Sequence, residues 1–262
     1  MADLMWRAGT YIEHRFKANT LHGTHSPFVY KFLDEVVYND RHFYAYDTIT
    51  QRRNELLADH SRIEILDLGA GSTVNRSKSR RVSDIAQNSL KNEKISKLLF
   101  RLVDHFQPKT MIELGTSFGI SGLYQALAFK GGMLHTCEGC HETAKIAQAT
   151  FDKAEVKNVK LHVGDFSEVL QPVLDGVEKV DFAFLDGNHQ YQPTLAYFNQ
   201  ILSKCHEGTV MIFDDIYWSK GMAEAWEKVK SNDLVSYTID MFHIGIVFFR
   251  KGQEKEQFKI RF

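Results

Sequence analysis

Apolar residues follow two different spacings in the second half of the chain. Short apolar runs lie at about 109–114, 133–138, 159–163, 180–185 and 208–213. Between and after these runs, apolar residues recur at helical spacing at about 119–130, 141–154, 166–175, 193–204 and 219–231. Strands that alternate with helices favour parallel pairing through right-handed crossovers. The pattern therefore predicts an α/β fold with five parallel strands.

The last two apolar runs of the chain have a different arrangement. Residues 235–239 and 244–249 are separated by only four residues, which is too short for the crossover that parallel strands require. These two runs must pair as an antiparallel hairpin. We therefore expect a sheet of seven strands, five of them parallel, with the antiparallel hairpin at the C-terminus.

The first 81 residues lack this alternation, and their pattern is mostly helical. Ser26-Pro27 is a typical helix start, and apolar residues follow at helical spacing to about residue 38. A second, aromatic-rich helical stretch reaches about residue 58, and helical spacing returns from Ile85 to Phe106. We predict an N-terminal, mostly helical cap over residues 1–81 and an α/β domain over residues 82–262.

Composition and charge narrow the choice of partner. A formal net charge of -1 gives no general attraction to nucleic acid or to an anionic membrane, and no apolar run is as long as a membrane span. The N-terminus lacks the apolar stretch of a signal peptide, and the three cysteines fit a reducing compartment. We expect a cytoplasmic protein that acts on a small molecule, and a homodimer is compatible with the sequence.

Chemically informative residues follow the first three predicted strands, at the carboxyl ends where open α/β sheets bind ligands. The first strand leads into Glu113-Leu-Gly-Thr-Ser-Phe-Gly119, whose glycines allow the backbone to approach a ligand closely. Glu138 ends the second strand, where a carboxylate can accept hydrogen bonds from both hydroxyls of a ribose. Asp165 follows the third strand, and its alternative role is to cap the next helix.

The fourth and fifth predicted strands end in three carboxylates, Asp186, Asp214 and Asp215. At neighbouring sheet positions they would repel one another unless they take up a proton or bind a cation. Such oxygen ligands suit Mg²⁺ or another hard divalent ion. For Asp214 and Asp215 the alternative role is to cap the helix that begins near Ser219. His189, three residues after Asp186, is the candidate general base.

The ordered set of strand ends, with the terminal hairpin, resembles the class I S-adenosylmethionine-dependent methyltransferases over about residues 82 to 250. More narrowly, it resembles the catechol and macrolide-sugar types of O-methyltransferase. The resemblance implies a three-layer Rossmann-like sheet that binds S-adenosylmethionine in the domain of residues 82–262. It also implies transfer of the cofactor's methyl group to a hydroxyl of a small-molecule acceptor, assisted by a divalent metal.

The resemblance assigns the cofactor contacts to residues of the strand ends and of the segment before the first strand. These residues are Glu113, Gly115, Thr116, Ser117, Gly119, Glu138, Asp165, Phe166, Asp186, Val82 and Ser83. The glycine loop would hold the methionine end of the cofactor and Glu138 the ribose. Asp165 and Phe166 would contact the adenine, and the helix that begins at Val82 would lie over the cofactor.

The resemblance also supplies a metal site and a mechanism. Asp186, Asp214 and Asp215 would hold Mg²⁺ or a similar cation, which would orient the acceptor hydroxyl and lower its pKa. Asp186 and His189 would be the catalytic residues. Catechol-type enzymes often carry a lysine where this chain has His189. The base assigned here therefore differs from the residue that is typical of the family.

Other interpretations remain open on the sequence alone. A metal-independent N-methyltransferase, an NAD-linked oxidoreductase and a non-catalytic S-adenosylmethionine-binding module are the alternative functions. A second glycine loop, Asp67-Leu-Gly-Ala-Gly71, lacks a following apolar helix and is interpreted as a structural turn. The basic residues after it fit a solvated loop, a site for a substrate phosphate or carboxylate, or a contact with RNA; they are Arg76, Lys78, Arg80 and Arg81.

Overall fold

The structure is a computed structural model and describes residues 2–65 and 79–262. Its α-helices, in chain order, are α1 (Ala2–Lys17), α2 (Pro27–Phe32), α3 (Ala45–Ala58), α4 (Val82–Ser89), α5 (Glu93–Phe106), α6 (Ile120–Ala128), α7 (His141–Lys153), α8 (Phe166–Asp175), α9 (Tyr191–Leu202) and α10 (Lys220–Ser231). Its strands are β1 (Arg62–Glu64), β2 (Ser79–Arg81), β3 (Thr110–Leu114), β4 (Met133–Glu138), β5 (Val159–Val163), β6 (Val180–Leu185), β7 (Cys205–Asp214), β8 (Tyr237–Asp240), β9 (Ile244–Phe248) and β10 (Glu256–Lys259).

The chain forms two compact units. The central unit is Asn39–Gly176, and the terminal unit combines Met1–Tyr38 with Val177–Phe262. The predicted division at residue 81 follows a different criterion and stays a prediction.

In the central unit, β4 pairs in parallel with β3 on one side and with β5 on the other. Glu113 lies opposite Thr136 and Glu138 opposite Val163, so the carboxyl ends of the three strands lie along one edge. Helix α6 starts directly after the glycine loop because Ile120, Leu123 and Tyr124 turn into the apolar core beside Phe151. Burial of these side chains holds the loop at the strand edge.

In the terminal unit the strand order is β10-β8-β9-β7-β6. Strands β6 and β7 are parallel, and β9 is antiparallel to both β7 and β8. The predicted C-terminal hairpin is therefore confirmed, with its second strand inserted next to β7. The fully buried Trp226 and Phe213 lie in the core of this unit.

Three elements differ from the pattern-based expectation. The segment from Ile85 to Phe106 is two helices rather than one, because Asn92 accepts a hydrogen bond from the amide of Lys94 (2.8 Å) and starts α5 anew. Helix α1 precedes the first predicted helix. Strand β10 adds a parallel neighbour to β8, and β1 and β2 form a separate antiparallel pair, so each unit contains five strands among the described residues.

Within the part of the chain that the structure describes, no helix has both the length and the apolar character needed to cross a membrane.

Candidate cofactor loop and metal centre

The loop after β3 takes a conformation that depends on its glycines. Gly115 and Gly119 have φ angles of 100° and 81°, in the region that residues with a side chain rarely adopt. A Cβ atom on Gly119 would lie 2.9 Å from Cζ of Phe151, so the second glycine is also required by packing. The amides of Gly115 and Thr116 donate to the carbonyl of Cys137 (3.0 and 3.1 Å), which joins the loop to β4.

Glu113 is fully buried beneath this loop. Its carboxylate accepts hydrogen bonds from Nε2 of Gln125 (2.7 Å) and from Oγ1 of Thr136 (2.6 Å). Burial raises the pKa of Glu113 to about 7, against the opposing effect of these hydrogen bonds. The side chain thus connects β3, β4 and α6, while its predicted contact with a cofactor stays a prediction.

Glu138, at the end of β4, is joined to the glycine loop. One carboxylate oxygen accepts from the amide of Ser117 (2.8 Å) and the other from the amide of Cys140 (2.9 Å). Burial raises the pKa of Glu138, although these backbone donors favour the ionised form. The carboxylate is therefore fixed in position at the edge where the sequence predicts a ribose.

Asp165 caps helix α8. Its carboxylate accepts hydrogen bonds from both the amide (2.8 Å) and the hydroxyl (2.6 Å) of Ser167, and these bonds lower the pKa of Asp165. This is the alternative role considered from the sequence. Phe166 follows it and is half-buried. The adenine contacts predicted for both residues stay predictions.

Val82 and Ser83 form the first turn of α4, and both are buried. The amide of Val82 donates to the carbonyl of Ser61 (2.9 Å), and the amide of Ser83 to that of Asp59 (2.8 Å). Their predicted role over the cofactor is untested by these contacts. The second glycine loop, Asp67 to Gly71, lies outside the described residues, as do Arg76 and Lys78.

Asp186, His189 and Asp214 converge in the terminal unit. One potential ligand atom from each residue lies within 4.8 Å of those of the other two. Nε2 of His189 lies 3.6 Å from Oδ1 of Asp186, and Asp214 is only 2% exposed. Ligand-to-cation distances of about 2.0–2.4 Å allow two ligand atoms of one ion to be at most about 4–5 Å apart, so this set is at the upper limit for one divalent ion.

Asp215, predicted as the third metal ligand, is not part of this converging group. It follows Asp214 directly, and successive residues of an extended strand project to opposite sides. Its φ angle of 50° places it in the turn that follows β7, where its carbonyl accepts from the amide of Trp218 (2.8 Å). The third member of the group is His189, which the sequence analysis assigned as a base. The metal role of Asp215 stays a prediction.

The turn that brings His189 back to Asp186 contains another strained residue. Asn188 has a φ angle of 60°, and its side-chain amide donates to the hydroxyl of Tyr197 on α9 (3.4 Å). Asparagine tolerates this left-handed conformation better than most residues. The sequence Asp186-Gly-Asn-His189 therefore contains the local signal for a tight return, which the strand-end pattern alone does not use.

Comparison with known proteins places a methyltransferase domain over the segment from β3 to the turn after β7. Residues 112–216 match the family model described as a methyltransferase domain. An uncharacterized protein, R132, of Acanthamoeba polyphaga mimivirus is 30% identical over 131 residues, which are 46% of this chain and 58% of that protein. The chain thus spans less than two thirds of the length of this curated relative.

Solved structures of methyltransferases share the fold. An O-methyltransferase from Bacillus cereus in complex with SAH superposes with a TM-score of 0.55 at 19% identity, over 83% of this chain and 96% of that one. The O-methyltransferase TomG from Streptomyces achromogenes, in complex with SAM, gives 0.57 at 19%, over 80% and 91%. The SAH-bound methyltransferase PaMTH1 of Podospora anserina gives 0.63 at 12%, over 87% and 98%. The predicted Rossmann-like fold is confirmed.

Proposed function

We propose that the chain is an S-adenosylmethionine-dependent methyltransferase that methylates a hydroxyl of a small molecule, because residues 112–216 match a methyltransferase domain and the fold is shared with solved O-methyltransferases. Asp186, His189 and Asp214 would hold a divalent cation that assists the transfer. The observation that carries the metal-assisted reaction is the convergence of these three side chains within 4.8 Å.

The glycine loop supports binding of the cofactor. The carboxylate of Glu138 accepts from the amide of Ser117 on one oxygen and from the amide of Cys140 on the other, and the amide of Gly139 also donates to it. Because a carboxylate has about four acceptor positions, it can still accept a hydrogen bond from a ribose hydroxyl. Because the carboxylate is already held by the loop, little conformational freedom is lost when the cofactor binds.

The donor set indicates which cations are suitable. Two carboxylates and one imidazole combine hard oxygen ligands with a nitrogen ligand. This mixed set suits Mn²⁺ better than the all-oxygen set that the sequence predicts. A bound divalent cation would lower the pKa of the acceptor hydroxyl and orient its oxygen. This chemistry requires Asp186 and Asp214 to stay ionised.

In the proposed reaction, the acceptor oxygen forms a bond to the methyl carbon as the bond between that carbon and the sulfonium sulfur breaks. S-adenosylhomocysteine is the leaving product, and the hydroxyl proton passes to a base. His189 is the candidate for this base, but a ring nitrogen that ligates a cation cannot accept a proton at the same time. The two roles are therefore alternatives that a His189→Gln variant separates, since loss of a ligand weakens cation binding and loss of a base does not.

The test of the metal site compares two adjacent carboxylates. Calorimetric titration with Mn²⁺ and with Mg²⁺ should show binding to the wild type that weakens at least about tenfold in Asp214→Asn. Asp215→Asn is the matched control, because it removes the same charge from the next residue, and it should retain most of the affinity. Equal losses in both variants, or none in either, would contradict the assigned ligands.

The methyl transfer itself is measured as S-adenosylhomocysteine formed with a panel of hydroxylated acceptors. A chelator should abolish turnover of these acceptors while leaving S-adenosylmethionine binding intact. Turnover of amines that survives chelation would favour the N-methyltransferase, and calorimetric binding of NAD rather than S-adenosylmethionine would favour the oxidoreductase. Binding of S-adenosylmethionine without product from any acceptor would favour the non-catalytic module.

A further inference from the structure

Helix α1 is fixed to the strand ends of the terminal unit by a buried polar network. Nε2 of His14 lies 3.0 Å from a carboxylate oxygen of Asp240 and 3.1 Å from its backbone carbonyl. The same carboxylate accepts from the hydroxyl of Tyr217 (2.6 Å) and from the amide of Phe242 (3.0 Å). Tyr11 packs edge-on against the ring of Phe242, with centroids 4.9 Å apart. These contacts hold α1 against the turn that follows β7.

Trp218 links Arg7 of the anchored helix to His189 of the candidate metal centre. Its guanidinium carbon lies 4.4 Å from the ring centroid of Trp218, and the indole centroid lies 6.5 Å from that of His189. Trp218 is in turn held by its amide, which donates to the carbonyl of Asp215 (2.8 Å). Trp218 is therefore a shared neighbour of the positive charge of Arg7 and of His189 in the candidate group.

The cationic group of Arg7 forms no ion pair with any Asp or Glu of the described residues, and Arg7 is half-buried. Stacking on an indole occupies a face of the guanidinium but leaves its N–H donors in the plane of the group. That planar edge matches two oxygens of a carboxylate or a phosphate in a bidentate arrangement. The stacked arginine thus has directed donors next to Trp218, the neighbour that it shares with His189.

We infer that Arg7 binds a negatively charged group, a carboxylate or a phosphate, on the molecule that receives the methyl group. The inference rests on the proposed function, because it names the acceptor class of the same site. The competing explanation is that Arg7 only offsets the charges of Asp186, Asp214 and Asp215 from a distance. The two explanations differ in one respect, since directed binding favours anionic acceptors alone and charge compensation affects all acceptors equally.

The experiment compares probes that differ only in charge. With the Mn²⁺-loaded protein, calorimetry measures the affinities of 3,4-dihydroxybenzoate, 3,4-dihydroxyphenylphosphonate and the neutral 3,4-dihydroxybenzamide. The wild type should bind at least one anionic probe about ten- to a hundredfold more tightly than the amide, as expected for charged hydrogen bonds. The stronger of the two anions identifies the group as a carboxylate or a phosphate.

Arg7→Gln should reduce this preference to about one without changing the affinity for the amide. Arg15→Gln is the matched control, because it removes the same charge from an exposed position of α1, and it should keep the preference. Arg7→Lys, which keeps the charge but not the planar edge, should recover part of it. Equal thermal midpoints of the two glutamine variants exclude a folding defect.

A wild type that binds no anionic probe more tightly than the amide would overturn the inference. An Arg7→Gln variant that loses affinity for anionic and neutral probes equally would overturn it as well, in favour of charge compensation. Failure of the proposed function has a different signature. In that case the preference depends on Arg7, but no S-adenosylhomocysteine forms with any probe.

Discussion

Replacement of Glu113 by glutamine should remove a pH dependence of stability that originates in this fully buried carboxyl group. In the folded chain, burial raises the pKa of Glu113 from 4.5 to about 7. Between these two values the folded state keeps the proton that the unfolded state has lost. The free energy of unfolding therefore falls as the pH rises through this window, and it becomes constant above the folded pKa.

The size of the effect follows from the two pKa values. A difference of about 2.5 pH units, at about 1.4 kcal/mol per unit, gives about 3 kcal/mol. Because no part of the carboxyl group is exposed, solvent screening does not reduce this value. Glutamine cannot ionise in this range, so the Glu113→Gln variant should lack this part of the pH dependence.

The assay is urea unfolding followed by circular dichroism at pH 5, 6, 7 and 8. From pH 5 to pH 8 the wild type should lose about 2–3 kcal/mol more than Glu113→Gln, because part of the total change lies below pH 5. Glu168→Gln, at an exposed position on α8, should have the pH profile of the wild type. Glu138, whose pKa is also raised by burial, leaves a slope of the same sign in every variant. Parallel profiles for Glu113→Gln and the wild type would refute the reasoning.

Two further substitutions test the cofactor loop and the anchor of α1. Gly119→Ala should lower the free energy of unfolding in urea by about 1–3 kcal/mol and weaken S-adenosylmethionine binding in calorimetry. Gly252→Ala is the control, because Gly252 is also at positive φ but in open space; it should lower the free energy less and leave binding unchanged. Tyr217→Phe removes one donor to Asp240, and Thr209→Val removes a 2.6 Å bond in the middle of β7, so each should cost about 1–3 kcal/mol. Only Tyr217→Phe should weaken binding of the anionic probe. Equal ligand affinities within each pair would contradict the assigned roles.

The strand-to-helix alternation and the C-terminal hairpin were predictable because each follows from a local rule. Four residues between two apolar runs leave no length for a crossover, so the antiparallel pairing of β8 and β9 is forced. Strand β10 was not predictable in this way. Its sequence, Glu-Gln-Phe-Lys, is mostly polar, and it is a strand because β8 offers a free edge for backbone pairing.

Helix α1 shows why amphipathic pattern alone does not place an N-terminal segment. Its apolar residues Leu4, Met5 and Phe16 are 71%, 75% and 83% exposed. The face that packs against the terminal unit instead carries His14, which is 3% exposed because Asp240 supplies its hydrogen-bond partner. A rule that turns the apolar face inward would have oriented this helix incorrectly, and a tertiary hydrogen bond decides its orientation.

The metal centre shows the same limit at the scale of single residues. From the sequence, Asp214 and Asp215 are equivalent candidates, since both follow the apolar part of β7. In the structure, Asp214 rather than Asp215 belongs to the candidate group with Asp186 and His189, since β7 ends at Asp214 and Asp215 takes a left-handed φ of 50° in the turn that follows. His189 takes the third position because Asn188 adopts a left-handed φ of 60° and reverses the chain. Neither the direction of a side chain at a strand end nor that reversal is encoded in the spacing of acids. The donor set, and with it the expected preference for Mn²⁺, therefore follows from backbone geometry.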